Sequence, residues 1–211
     1  MQSWQSSFLG IRALPRDLSE FELQAFFSFG ADERRLIETR RTDAHQLGLA
    51  LHIGFIRLSG QLLDAKRIVP VRLWQHLGGE IGVPNPEVAT LKAMYRRGRT
   101  LLDHQRLACD QLGVSRMREH QRRALVRALR DEVQRSGDSD QLLVFARTWL
   151  YRQKLLLPHT RALRAIVTAA LVAFESATVG ADAHLTMCRS SNHQNRSCAE
   201  LGYAAISSPR A

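Results

Sequence analysis

The chain has 211 residues, enough for one large domain or two small ones, and its apolar fraction of 45% is too high for a disordered protein. No apolar run reaches the 18 or more residues a membrane span needs, and the first twelve residues, MQSWQSSFLGIR, lack the basic and apolar regions of a signal peptide, so the expectation is a cytoplasmic protein. The formal net charge is +10, and basic and acidic side chains number 10 and 10 over 1–90, 12 and 5 over 91–135, and 8 and 5 over 136–211, so the excess is concentrated in the middle of the chain. A localised basic surface points to a polyanion partner, because neutralising phosphates releases condensed counterions.

Arginine supplies 27 of the 30 basic residues, which suits forked contacts to phosphate or guanine, although genomic base composition produces the same bias. The three cysteines, Cys109, Cys188 and Cys198, are odd in number and widely spaced, so they suggest neither a disulfide framework nor a zinc ribbon.

Ser19 and Glu22 have capping-box spacing and open a helix after Pro15, with Leu18, Phe21, Phe26 and Phe27 as apolar anchors and Phe29-Gly30 at its end. A short helix over 32–39 turns Leu36 and Ile37 inward. Its Arg34 and Arg35, with Arg40 and Arg41 beyond, either touch phosphate or form a salt-bridged face with Asp32, Glu33 and Glu38. Residues 42–58 follow as a central helix. Leu47, Ala50, Leu51, Ile53, Ile56 and Leu58 cover much of its circumference, and Gly48 and Gly54 permit close contact. His45 and His52, seven residues apart, have no Cys or carboxylate at metal-ligand spacing, so packing or surface histidines are the preferred reading.

Pro70 opens a helix carrying Leu73, Trp74 and Leu77, closed by Gly78-Gly79 and Gly82. A helix restarts at Pro86 with Val88, Leu91 and Met94 inward, and is interrupted by Tyr95-Arg96-Arg97-Gly98-Arg99. That run either grips a nucleic-acid backbone, with the tyrosine stacking or hydrogen-bonding, or is an exposed helix end. A helix over 100–112 ends at Gly113 and Ser115 caps the next, over 115–135, so that the pair reads superficially as a helix-turn-helix. At about 100° per residue, Arg116, Arg123, Arg127 and Arg130 fall within roughly 60° of one another, with Leu125, Leu129 and Val133 on another side. This arginine stripe is the best candidate for a DNA-contacting surface. A membrane-surface helix shares its charge signature, but the apolar side lacks Trp and Phe anchors.

After the turn at 136–139, Leu142, Leu143, Phe145, Ala146, Trp149 and Leu150 define an apolar helix ending near Leu157 and broken by Pro158. A helix over 159–177 with Leu163, Ile166, Val167, Ala170, Leu171 and Phe174 then docks on it as a pair. From Ala181 the composition turns to serine, asparagine and small residues without period, as in an unstructured tail; His184, Cys188, His193 and Cys198 match no standard metal site. The residues therefore predict an all-α, multi-helix bundle of two small helical subdomains with helix-turn-helix-like elements, over 1–113 and 114–180, and a tail over 181–211. No Gly-rich phosphate loop, nucleophile elbow or metal-ligand set is present, and no cofactor is expected.

The succession of ERRLIETRRTDAHQLGLALHIGFIRLSG, VPVRLWQHLGGEIGV, YRRGRTLLDHQRLACDQLG and YRQKLLLPHTRALRAIVTAALVAFE resembles the N-terminal region of transposases of the Tn-three family. The likeness spans roughly 18–180, with Arg41, Leu47, Gly48, Gly60, Leu77, Leu102, Leu112, Gly113, Leu157 and Pro158 at positions of the family pattern. The resemblance implies an all-helical region that recognises the double-stranded terminal inverted repeats of a transposon, with an intact transposase or a second copy as a further partner. It places the chemistry in a later Asp-Asp-Glu domain that needs far more chain than is present, so no acidic residue here is expected to be catalytic. The tail departs from the family's helical continuation, and a frameshift or interrupted gene would explain both that break and the early stop. The rival reading is a basic helical protein-interaction module without DNA binding.

Overall fold

The computed structural model describes residues 14, 18–64, 69–84, 93–96 and 98–177. Ser19 starts the first helix, α1 (Glu20–Phe27), through a reciprocal cap: its hydroxyl accepts from the Glu22 amide at 3.2 Å, and the Glu22 carboxylate accepts from the Ser19 amide at 2.8 Å. Leu18, Leu23, Phe26 and Phe27 are buried by it, but Phe21, expected as an anchor, is 72% exposed, because it faces away from the side of α1 that Leu23 and Phe27 turn inward. In α2 (Ala31–Glu38), Ile37 is buried and Leu36 is packed partly against the core.

The central helix, α3 (Asp43–Ser59), is capped by the Thr42 hydroxyl and ends at Gly60 in the left-handed region. From Leu47 to Ser59 every residue is buried except Arg57. Arg57 sits in an ion pair with Glu33, donates to the Ser28 carbonyl at 2.8 Å and lies over the Phe29 ring, which ties α2 and the α1–α2 turn onto α3. A helix buried on nearly all sides needs neighbours on all sides, and α1, α2, α4 (Val71–Ile81) and α5 (Arg99–Leu112) supply them. Gly78-Gly79 lies inside α4, which runs on to Ile81 and is capped by Gly82. Most of the helix expected from Pro86 falls outside the described residues.

Three further helices follow: α6 (Glu119–Val133), α7 (Ser139–Arg152) and α8 over 160–177. Their buried side chains, among them Leu125, Leu129, Leu142, Ala146, Leu163 and Val167, form a second apolar cluster beside the one around α3. Among the described residues there is no strand, only an isolated parallel bridge between Ser115 and Leu155. That bridge joins the two clusters. The Ser115 amide donates to the Lys154 carbonyl at 3.0 Å, the Leu156 amide to the Ser115 carbonyl at 2.8 Å, and the Leu157 amide to the Gly60 carbonyl at 2.8 Å. Leu156 then packs into the first cluster while Leu155 and Leu157 pack into the second, as alternation along an extended segment requires.

This seam changes two expected boundaries. Ser115 does not cap a helix: both its backbone groups are used by residues 154 and 156, and α6 begins only at Glu119, where the Arg118 amide donates to the Gln121 side chain at 2.8 Å. The preceding helix, α7, stops at Arg152 rather than near Leu157, because 155–157 is drawn out into the seam. The segment read as a helix-turn-helix therefore has an extended connection over 113–118, with α5 seated on α3 and α6 on α7. No described helix is long and apolar enough to cross a membrane. The residues of the expected tail, 181–211, lie outside the described ones.

Candidate nucleic-acid interface

Helix α6 is amphipathic in the way its spacing dictates. Leu125, Leu129 and Val133 recur at intervals of four and are buried in the second cluster. On the side turned away from them Arg123, Arg127 and Arg130 are exposed within roughly 60° of arc, with His120 at the margin; Arg122, on the angular side of Leu129 and Val133, is exposed because it lies in the first turn of the helix. Together with Glu119 and Val126 these residues line an open groove of about 650 Å³.

The charge on this face is largely unneutralised. Glu119 is the one carboxylate among the lining residues, and it faces Arg123 at 3.4 Å and Arg122 at 3.7 Å in exposed pairs that hold their partners weakly. Arg127 and Arg130 have no ion-pair partner among the described residues. A rigid helix presenting two unpaired and two weakly paired guanidinium groups to solvent suits a row of phosphates, since each has donors left over in a fixed fork. Arg122 went unmarked in the sequence because its spacing to Leu125, Leu129 and Val133 puts it on the inward side, and only the structure shows that the first turn of α6 leaves it exposed.

The other expected contact residues are distributed differently. Arg116 is exposed but precedes α6, in the extended segment, and stands near Cys109, whose thiol burial pushes up while the Arg116 charge pulls it down. Arg96 and Arg99 are exposed around Gly98, and Arg97 lies outside the described residues. Tyr95 is buried to 4% exposure, and its hydroxyl shares a hydrogen bond of 2.8 Å with Nδ1 of His104 on α5. A ring with no open face cannot stack on a base, so Tyr95 leaves the candidate surface and becomes an anchor for the turn before α5.

Gly48 makes this burial possible. A Cβ there would lie 2.6 Å from the Tyr95 oxygen, 2.9 Å from Met94 Cε and 3.0 Å from His104 Cε1. Around the contact His45, His52, His104 and Tyr95 pack edge to face at ring separations of 5.4 to 6.1 Å. His52 is fully buried, and neither of its ring nitrogens has a hydrogen-bond partner among the described residues. Among those residues no group of three or more His, Cys, Asp or Glu side chains has the arrangement to hold a metal ion.

Burial disfavours the imidazolium, so the pKa of His52 is lowered to about 3, with His104 adding repulsion, and that of His104 to about 4, with His45 and Arg40 adding theirs. Both rings are neutral in the folded protein at neutral pH. As pH falls below 6.5 the unfolded chain takes up these two protons and the folded chain does not, so stability is lost progressively from about 6.5 down to about 4 and 3. The steepest slope from this pair is roughly 3 kcal/mol per pH unit, which is two protons' worth. Replacing His52→Leu removes the buried orphan nitrogens as well as the titration. The expected result in chemical unfolding is equal or higher stability at pH 7, by about 1–3 kcal/mol, and a shallower loss between pH 6.5 and 4. A clear destabilisation at pH 7 would mean that the ring is held by polar contacts the packing does not reveal.

The chain matches the model of a domain of unknown function, DUF4158, over residues 8–170. It is also 60% identical, over 178 residues, to a Comamonas testosteroni protein, the transposase for insertion sequence element IS1071 in transposon Tn5271. That alignment takes in 84% of this chain but only 18% of the relative's length.

Proposed function

The chain belongs to the DUF4158 family and is related to a transposase, and on that premise we propose that it is the part of such an enzyme that binds duplex DNA at the terminal inverted repeats of the element. The observation that carries this reading is the exposed arginine face of α6, four guanidinium groups against the single carboxylate of Glu119, on a well-packed helical support. Phosphate contacts of this kind fix position and orientation on the duplex, while forked contacts to base edges supply sequence preference. Arg122, Arg123, Arg127 and Arg130 are the core of the surface, with Arg116, Arg96 and Arg99 on separate elements as flanking contacts.

In this reading the transposon is of the Tn-three type and the chain acts in the cytoplasm without a cofactor. The subdomains are taken as 1–113 and 114–180; the two apolar clusters support such a division, with Leu156 and Val114 packing across it into the first. Since the alignment covers only 18% of the relative's length, we assign strand transfer to sequence outside this chain, and none of the carboxylates here is given a catalytic role. The partner after DNA is an intact transposase or a second copy meeting it at the repeat ends.

Footprinting tests the reading directly. Duplexes carrying the inverted repeats that flank the chain's own gene are compared with scrambled duplexes of the same composition. Protection confined to the true repeats is the expected outcome. Equal protection of both would leave a non-specific binder, and protection of neither at low salt would remove DNA as the partner and favour a protein-interaction module.

A further inference from the structure

Two stretches of the chain carry positive charge and no carboxylate: 111–118, with Arg116 and Arg118, and 141–174, with Arg147, Arg152, Lys154, Arg161 and Arg164. They are far apart in sequence, but the seam lays them edge to edge, Ser115 bonding to the backbone at Lys154 and Leu156. Arg116, Arg118, Arg152 and Lys154 are all exposed there, and none has an ion-pair partner among the described residues. The nearest acidic residues along the chain are Asp110, before the first stretch, and Glu119, which already faces Arg122 and Arg123.

Lys154 holds a conformation that a lysine adopts at a cost. Its φ is 52°, the one positive value at a described residue other than glycine. It follows α7 at the position where helix ends usually place glycine, its amide donating to Tyr151 O at 2.9 Å and the Leu155 amide to Leu150 O at 2.9 Å. Glycine would satisfy this turn without strain, so the side chain has to be accounted for. Its ammonium reaches back to the end of α5, 4.0 Å from where a Cβ of Gly113 would stand, and Arg116 acts on Cys109 in the last turn of the same helix. Two cations from different segments thus both stand near the end of α5. Arg118 leads directly into the α6 face through Arg122, and from Arg118 to Arg130 the helix advances about 18 Å.

We propose that Arg116, Arg118, Arg152 and Lys154 form a second phosphate-gripping surface, continuous with the arginine face of α6 and occupied by the sugar–phosphate backbone of the same duplex. The inference rests on the DNA-binding reading and extends it to the seam. The competing account is structural: Lys154 and Arg116 only offset the negative end of α5.

The test uses the full chain, one inverted-repeat duplex, a salt series and thermal unfolding. Lys154→Gly relaxes the left-handed turn and removes the charge, so Tm rises by about 2–4 °C while the slope of log affinity against log salt becomes shallower by about 1. The pair Arg116→Gln and Arg152→Gln makes it shallower by about 2. Unchanged slopes in both variants, with a shallower slope in Arg123→Gln/Arg127→Gln, would overturn the seam while leaving the DNA reading in place. Absence of binding by the unaltered chain at low salt would overturn both.

Discussion

Affinity of the chain for duplex DNA is expected to fall roughly 500-fold or more when salt is raised from 50 to 200 mM. About five phosphate contacts, from Arg122, Arg123, Arg127, Arg130 and Arg116, correspond to a slope near −4.5 on logarithmic axes, and a fourfold rise in salt to that power gives the figure. The other seam cations, Arg118, Arg152 and Lys154, steepen it further. Replacing Arg123→Gln together with Arg127→Gln removes two of those contacts and makes the slope shallower by about 2. Folding is untouched, because both side chains are exposed and the Glu119 pair with Arg123 is a solvent-exposed one worth little. Fluorescence anisotropy across a salt series reads the slope, and far-UV circular dichroism on heating reads the stability. A variant that binds as tightly as the unaltered chain would move the interface off α6.

Gly54→Ala should unfold the protein far more readily, in spite of the better helix propensity of alanine. A methyl at Gly54 would be driven into the Phe27 ring, overlapping Cδ1, Cε1 and Cγ. Phe27 is completely buried, with Leu23, Ile53 and Phe55 in the same cluster, so the ring has no free space into which to turn. The strain falls on the α1–α3 contact. Overpacking of this kind costs about 1–3 kcal/mol and more where the backbone must shift, against about 1 kcal/mol gained from propensity. A net loss of about 2–3 kcal/mol lowers Tm by roughly 4–12 °C in a chain of this size. Gly79→Ala is the internal control, since that exposed position inside α4 has nothing within 4 Å of the added methyl. It should gain about 0.5–1 kcal/mol. A Gly54→Ala protein as stable as its parent would show that α1 is not pressed on α3 as described.

Much of the helical plan is legible before any coordinates because its signals are local. The Ser19–Glu22 spacing, Pro70 before α4, Gly60 and Gly113 after α3 and α5, and the wide apolar coverage of α3 each act within a turn or two of the residues that carry them. The arginine face of α6 was read the same way: Leu125, Leu129 and Val133 identify the inward side, and Arg123, Arg127 and Arg130 are left outside. The anchor role of Phe21 failed for a related reason, since in a helix of eight residues apolar spacing alone does not decide which side chain stays out.

The amino-acid sequence by itself determined that this is a helical, arginine-rich chain whose positive charge is localised, and it marked α6 as the face to test. Tertiary structure alone decided three other matters. Tyr95 is withdrawn from solvent because Gly48, forty-seven residues earlier, leaves room for it against His104. Ser115 is kept out of α6, and Arg116 with it, because backbone groups about forty residues away satisfy its amide and carbonyl before a helix can. Lys154 and Arg152 join the basic surface only through that same pairing. Capping and periodicity act between residues a few positions apart, whereas these three outcomes depend on contacts formed when α3, α5 and the seam have already closed on one another.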